Sequence, residues 1–345
     1  MRTWKNKQKR RQYQTHVREL KSTRRRKLWI KTKRQKLEGK SLKQREFYEA
    51  KRYAEHINAP DEFSINRNPN EAFKFIASLK GYKNRSNVKA VFISLRKCTY
   101  ISNGAIALMI SAIKELKAVG IKVSGSYPLD KAARSKLEKS GFFNFVIGYV
   151  SEENEITLNT IIQQGVDVVD SAAVAPLVLK AMNVVWGQPF RNQRLQSLLI
   201  ELMANTVNHA FTSNKRSNWY LSISSDQSQK KVSFTFIDNG LGINRTLNVK
   251  FVEKIKYLFL TSEEQILKAA FDGKFGSRTK ERKRGRGLPN VKKCFTENYI
   301  SNLVVIANNV KFDFKSDTTQ CLQYEFEGTC YYWELDLNCV SWKIL

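Results

Sequence analysis

The sequence predicts an α/β protein on three observations: strands and helices alternate in its middle, a helix of buried type in its C-terminal half carries a regular row of polar residues, and apolar strands there run into glycine-rich loops. The helix is "ELMANTVNHA" (201 to 210) with the residues before it, where Leu198, Leu199, Leu202, Met203 and Val207 form an apolar stripe. Glu201, Asn205 and His209 step by four and share one face. Taken alone, such a decamer reads equally as a surface helix showing its wet side.

With 345 residues, 42% of them hydrophobic and 11% aromatic, the chain can bury more than one modest core. It has no apolar run of the roughly 18 to 20 residues that span a bilayer, and "MRTWKNKQKRRQYQ" at its start lacks the apolar segment of a secretory signal. No membrane span and a cytoplasmic location are therefore expected. The 5 cysteines include no CxxC pair, and Cys321, Cys330 and Cys339 match no zinc spacing, which suits reduced structural thiols.

The formal charge is +29, and residues 1–45 place 19 Lys and Arg against only Glu19 and Glu38. Trp4, Tyr13, Trp29 and Ile30 interleave with the basic runs "KRR" and "TRRRK". That pattern suits a basic helical arm, assigned to residues 1–60, that neutralises phosphates while its aromatics pack or stack. A solvated charged helix is the plainer alternative. "NAPDEFSINRNPNEAFKF", rich in turn formers, puts a boundary near residues 58–70.

A small αβ domain is expected over 65–150. "VKAVFISL" (88–95) reads as a strand, "SNGAIALMISAIKELKAVG" (102–120) as an apolar helix and "IKVSGSY" (121–127) as a second strand. "PLDKAARSKLEKSGFFNFV" (128–146) reads as a helix stopped at Gly141. A strand followed by "CTYISNGAIALM" resembles a STAS-like domain, the fold of the anti-sigma-factor antagonists, and a generic αβ module is the alternative. That family's phosphorylated serine falls on Asn103, beside Ser102, so the resemblance implies an interaction module for a protein partner, without the switch.

The remaining residues, 151–345, hold the chemistry. After a connecting segment, "SAAVAPLVLKAMNVVWG" (171–187) reads as a helix, then comes the polar-faced helix, then "WYLSISS" and "KVSFTFIDNGLGI" as a hairpin. Asp238, Gly240, Gly242 and Ile243 leave the second strand on a loop where glycines admit a close ligand and a carboxylate accepts from it. Further on, "GRGL" (285–288) sets Gly285, Arg286 and Gly287 before a helix from Leu288, whose free N–H groups suit phosphate. "EFEGTCYYWELDL" is read as a strand pair with Gly328 and Thr329 at its centre.

Those four pieces, in that order, resemble the GHKL ATPase fold of gyrase, heat-shock chaperones, histidine kinases and MutL. "ELMANTVNHA" resembles the N box, "DNGLGI" and "GRGL" the two glycine boxes, and "GT" before an alternating strand the last box. The resemblance covers about 170–340 and implies a GHKL α/β sandwich, a mixed sheet covered by helices on one face, with ATP and Mg²⁺ as cofactors. It implies Asn205 as the Mg²⁺ ligand, Asp238 as acceptor of the adenine amino group, Thr329 beside Asp238 through water, and Gly240, Gly242 and Ile243 as pocket wall. Gly285, Arg286, Gly287 and Leu288 would face the phosphates, and Glu201 would be the catalytic base. His209 either contacts phosphate or adjusts Glu201, its alternative being a buried structural histidine.

The residue types suit that chemistry: Mg²⁺ is a hard ion that wants oxygen ligands, and a carboxylate one turn away on the same helix face can polarise a water. Residues 244–284 would form a lid of two apolar segments, 251–260 and 263–271, and a basic tract. The expected function is a Mg-ATP hydrolase acting as an ATP-gated switch, with nucleic acid held by residues 1–45 and by the tract at 274–286. The alternatives are a serine protein kinase of the anti-sigma-factor type and an ATP-binding adaptor without turnover. A histidine kinase fits less well, because among 3 histidines only His16 distantly resembles an acceptor. The resemblance also implies an ATP-dependent homodimer.

Overall fold

In a computed structural model, residues 53–147, 161–209, 218–247, 262–275 and 287–340 are described. Glu55–Leu345 form one compact unit, separate from Met1–Ala54. Within it a middle module of short parallel strands shares a core with a larger antiparallel sheet.

The middle module contains β1 (Glu55–Asn58), β2 (Glu62–Phe63), α1 (Pro69–Gly81), β3 (Ala90–Ser94), β4 (Tyr100–Ile101), α2 (Asn103–Ala118), β5 (Lys122–Ser126), α3 (Lys131–Lys139) and α4 (Phe142–Ile147). Strands β1, β3 and β5 form one sheet and β2 pairs with β4, all in parallel. β1 lies in the stretch read from sequence as arm; its register with β3 runs from Glu55 opposite Val91 to Asn58 opposite Ser94. The helix read over 128–146 breaks at Gly141, which takes φ 73°.

The larger sheet has the order β6 (Ile161–Val166), β7 (Asn218–Asp226), β8 (Lys231–Asp238), β10 (Thr318–Leu335), β9 (Ser301–Asp313). Every ladder of it among the described residues is antiparallel, where the resemblance implies a mixed sheet. The order follows from two hairpins, β7–β8 and β9–β10, the second of which inserts β10 beside β8. β10 is one continuous strand rather than the expected pair, with register shifts between Cys321 and Thr329 that absorb the irregularity around Gly328.

Strand alternation sends one set of side chains to each face. Trp219, Leu221, Phe234, Phe236, Tyr331 and Trp333 face a core closed by α5 (Ser171–Trp186), α6 (Gln193–His209), α8 (Glu263–Phe271) and α9 (Gly287–Thr296). A short α7 (Ile243–Thr246) follows β8. Tyr220, Ile237, Ile306 and Cys330 face the opposite way, into the core of the middle module. There α2 packs against β5 on one side and β7 and β8 on the other. It is apolar on nearly every side, and the buried residues from Asn103 to Ile113 run without interruption, as a helix between two sheets requires. None of the described helices is long and apolar enough to cross a membrane.

Candidate functional site

The site begins at the C-terminal end of β8. Asp238 lies on the sheet face that meets the helices, between Trp219 of β7 and Thr329 of β10 in register. It is 6% exposed. Its carboxylate accepts from the Gly240 N–H at 2.9 Å and from the hydroxyl and N–H of Thr329. Burial nevertheless outweighs those donors and pushes its pKa up to about 6. Thr329 thus touches Asp238 directly.

The loop after β8 is held from behind by a residue that sequence reasoning missed. Asn308, buried on β9 with φ 55°, donates from Nδ2 to the Leu241 carbonyl at 2.9 Å. Gly242 turns the chain at φ 82°, and a Cβ there would collide with the Asn308 amide. Nδ2 of Asn308 also reaches Glu325 at 3.4 Å, and Glu325 pairs with Arg245 at 2.5 Å, which ties the turn into α7 to β10. Ile243 then buries its side chain in the helix-side core. Asn308 lies 67 positions from Leu241, so no local spacing reveals the clamp; its sequence signal is an asparagine pair interrupting the apolar run "VVIANNVKF".

On the facing helix, Glu201 and Asn205 are both half-buried. Gly287, the first residue of α9, comes so close that a Cβ on it would lie 2.5 Å from Glu201 Oε1 and 2.8 Å from Asn205 Nδ2. The structure therefore brings the polar face of α6 against the N-terminus of α9, two segments more than eighty residues apart. Leu288 anchors that terminus by packing on the core. Burial raises the pKa of Glu201 above the usual carboxylate range. Tyr331 feels the charge of both acids: its pKa is raised well above the usual phenol value first by burial, then by the charge of Asp238, with Cys330 and Glu201 adding to it. It is a further site residue that sequence reasoning missed, distinguishable only by strand alternation from Thr329.

His209 is the last residue of α6, and its side chain, with that of Asn208, lies outside the described residues, as do Gly285 and Arg286 of the second glycine loop, the segment 251–260, the tract 276–286 and residues 1–52 of the arm. Among the described residues no cluster of three or more His, Cys, Asp or Glu side chains forms a metal site, so Asn205 stands without a carboxylate cage.

Residues 191–338 match the family model described as histidine kinase-, DNA gyrase B- and HSP90-like ATPase. No curated protein matches the chain. Among solved structures, the chain is similar to the histidine kinase domain of a blue-light activated histidine kinase from Erythrobacter litoralis EL346, at 12% identity over 77% of this chain and 93% of that one, with a TM-score of 0.25.

Proposed function

Because residues 191–338 form a histidine kinase-, gyrase B- and HSP90-like ATPase domain, we propose that the protein is an ATP-gated switch that binds Mg-ATP and hydrolyses it. The observation that carries this reading is the approach of Gly287 to Glu201 and Asn205, together with a buried Asp238 that already holds three donors. A helix N-terminus closed against an amide and a carboxylate suits a phosphate chain with its metal, and a buried carboxylate suits an exocyclic amine.

In this reading Asp238 accepts from the adenine amino group, while Thr329 and Gly240 keep the carboxylate aimed. Asn205 offers its amide oxygen to Mg²⁺, and the N–H groups of Gly287 and Leu288 face the phosphates, with Gly285, Arg286 and His209 as neighbours from segments outside the described residues. Mg-ATP, when bound, supplies the electrophilic γ-phosphoryl group and the cation that neutralises it. Glu201 is the proton acceptor for the attacking water, and its raised pKa brings it nearer to the working pH of a general base. Its protonated fraction grows as pH falls, so turnover falls on the acid side.

The test is titration calorimetry with Mg-ATP together with phosphate release in single-turnover mode. Glu201→Ala is expected to bind ATP within a few fold of the parent and to turn over about 100-fold more slowly. Ordinary turnover by that variant reduces Glu201 to a structural residue, and label found on protein instead of in free phosphate would make the chain a kinase. Residues 1–45, at a net +17, and the tract at 274–286 are the proposed contacts for nucleic acid, and the middle module at 65–150 is that for a protein partner. Removal of residues 1–45 is expected to lower nucleic-acid affinity and to flatten its log–log dependence on salt by about one counterion for each phosphate that the arm neutralises, leaving ATP affinity unchanged. An unchanged slope moves the nucleic-acid site to the tract.

A further inference from the structure

On the sheet face opposite Asp238 lies a second cavity, of about 460 Å³, between β7, β8, β9 and β10 and the N-terminal end of α2. That volume lies in the range of small-molecule sites. Its walls carry five cations, Arg67, Lys136, Lys231, Lys311 and Lys315, against two carboxylates, Asp313 and Glu334.

The carboxylates are already engaged. Glu334 pairs with Lys231 at 3.4 Å and accepts from Asn302 at 2.6 Å and from the Tyr332 hydroxyl. Asp313 accepts the N–H groups of Lys315 and Ser316 at 2.9 and 3.3 Å. Lys231 is thus paired with Glu334 and Lys311 donates to the Asn66 carbonyl at 3.2 Å, yet the cations of the wall still outnumber its carboxylates. Arg67 and Lys136 share the ring of Tyr100, at 4.0 and 5.4 Å from its centroid. No carboxylate pairs with Lys136 among the described residues, and Arg67 keeps only an exposed pair with Glu62 at 3.5 Å. Burial, then the neighbouring Arg67 charge, draws the pKa of Lys136 below the usual lysine range. An exposed Arg67 and a half-buried Lys136, both packed on Tyr100 and both lining the cavity, make this part of its wall attractive to an anion.

The helix end supplies the second part of the cradle. Asn103, the first residue of α2, is 7% exposed and lines the cavity, and its Oδ1 has no hydrogen-bond partner. Ser102, at the cap, accepts from the Ala105 N–H at 3.2 Å, which fixes the terminus with its dipole toward the cavity. An unpartnered amide beside a helix N-terminus asks for a ligand that brings a donor together with negative charge. We propose that this cavity binds a small phosphate monoester carrying free hydroxyl groups, its phosphate set between Arg67, Lys136 and the start of α2 and a hydroxyl donating to Asn103.

Such a ligand would span the middle module and the ATPase sheet without entering the Asp238 pocket. The experiment is calorimetry of full-length protein with inorganic phosphate and with glycerol 3-phosphate, at ionic strength held constant with chloride, with glycerol as the control. The parent protein is expected to bind glycerol 3-phosphate more tightly than phosphate and glycerol not at all. The Arg67→Gln, Lys136→Gln double variant is expected to lose at least about ten-fold in both affinities, the scale of a charged hydrogen bond. Asn103→Asp, which keeps a residue suited to a helix start but sets a carboxylate against the anion, is expected to abolish binding while preserving the melting temperature within a few degrees. Lys136→Arg is expected to retain it. Equal affinities in the parent and both loss variants, or no binding by the parent, overturn the proposal; the first would leave the anion to the arm or to the Gly287 cradle.

Discussion

Asp238 places a stability problem inside the candidate site. Its unperturbed pKa of 3.8 becomes about 6 in the folded protein because burial outweighs the donors Gly240 and Thr329. An acid whose pKa is raised on folding binds more protons when native, so its favourable contribution is complete below about pH 4 and is lost as pH rises through about 6. The shift of about two units corresponds to roughly 3 kcal/mol between those limits. Asp238→Asn, which keeps the shape and removes the charge, is therefore expected to raise the melting temperature at pH 8 and to have little effect at pH 4. The same substitution is expected to cost on the order of 1.5 to 3 kcal/mol of ATP binding, because an amine then faces an uncharged acceptor. Thermal melts of both proteins at the two pH values, with calorimetry at pH 8, check it. A melting difference that does not change with pH would mean that the charge of Asp238 costs the folded protein nothing.

Elements whose role is set by their own sequence were legible. The apolar stripe of α6, the glycine that ends α5 and the near-continuous apolar surface of α2 each announce a helix, and Glu201 and Asn205 of the polar row mark the face that Gly287 meets. The strands left unread are those defined by partners. β1, "EHIN", has little apolar content and is a strand because β3 lies beside it. β6 follows residues with no helical or strand period, and its ladder to β7 supplies the order. β9 contains two asparagines that look like a turn, yet Asn308 adopts positive φ within the strand so that its amide can reach the loop after β8. Gly328 suggests a turn between two strands, whereas pairing with β8 and β9 on its two sides holds β10 in one piece. Local spacing singled out the Asp238 loop, the resemblance implied Thr329 beside it, and the antiparallel register puts the two residues opposite each other.

At the scale of the whole molecule, the middle module and the larger sheet share a core, and Ser111 makes polar contacts across it. Ser111 is 1% exposed in the otherwise apolar middle of α2. Its hydroxyl accepts from the amide of Asn239, the residue immediately after Asp238, and it also bonds to the Tyr220 side chain. Burial pushes the Tyr220 pKa up to about 12, so that phenol stays neutral and available as a partner. The loop that follows Asp238 is thus fastened directly to a helix of another module. Ser111→Ala removes the fastening with little change in volume and leaves the Asn239 amide without its partner, a loss of about 1 to 3 kcal/mol. Backbone amides of residues 239–242 are expected to exchange hydrogen faster in that variant, and ATP affinity to fall several fold. Asn239→Ala should do the same, and the double variant should cost less than the sum of the two, with a coupling of about 0.5 to 3 kcal/mol. Measured by hydrogen exchange and calorimetry, a loss of stability with unchanged ATP affinity would make Ser111 a structural pin only. A loss of both, non-additive between the two positions, would mean that the middle module sets the shape of the ATP pocket through the Ser111–Asn239 bond.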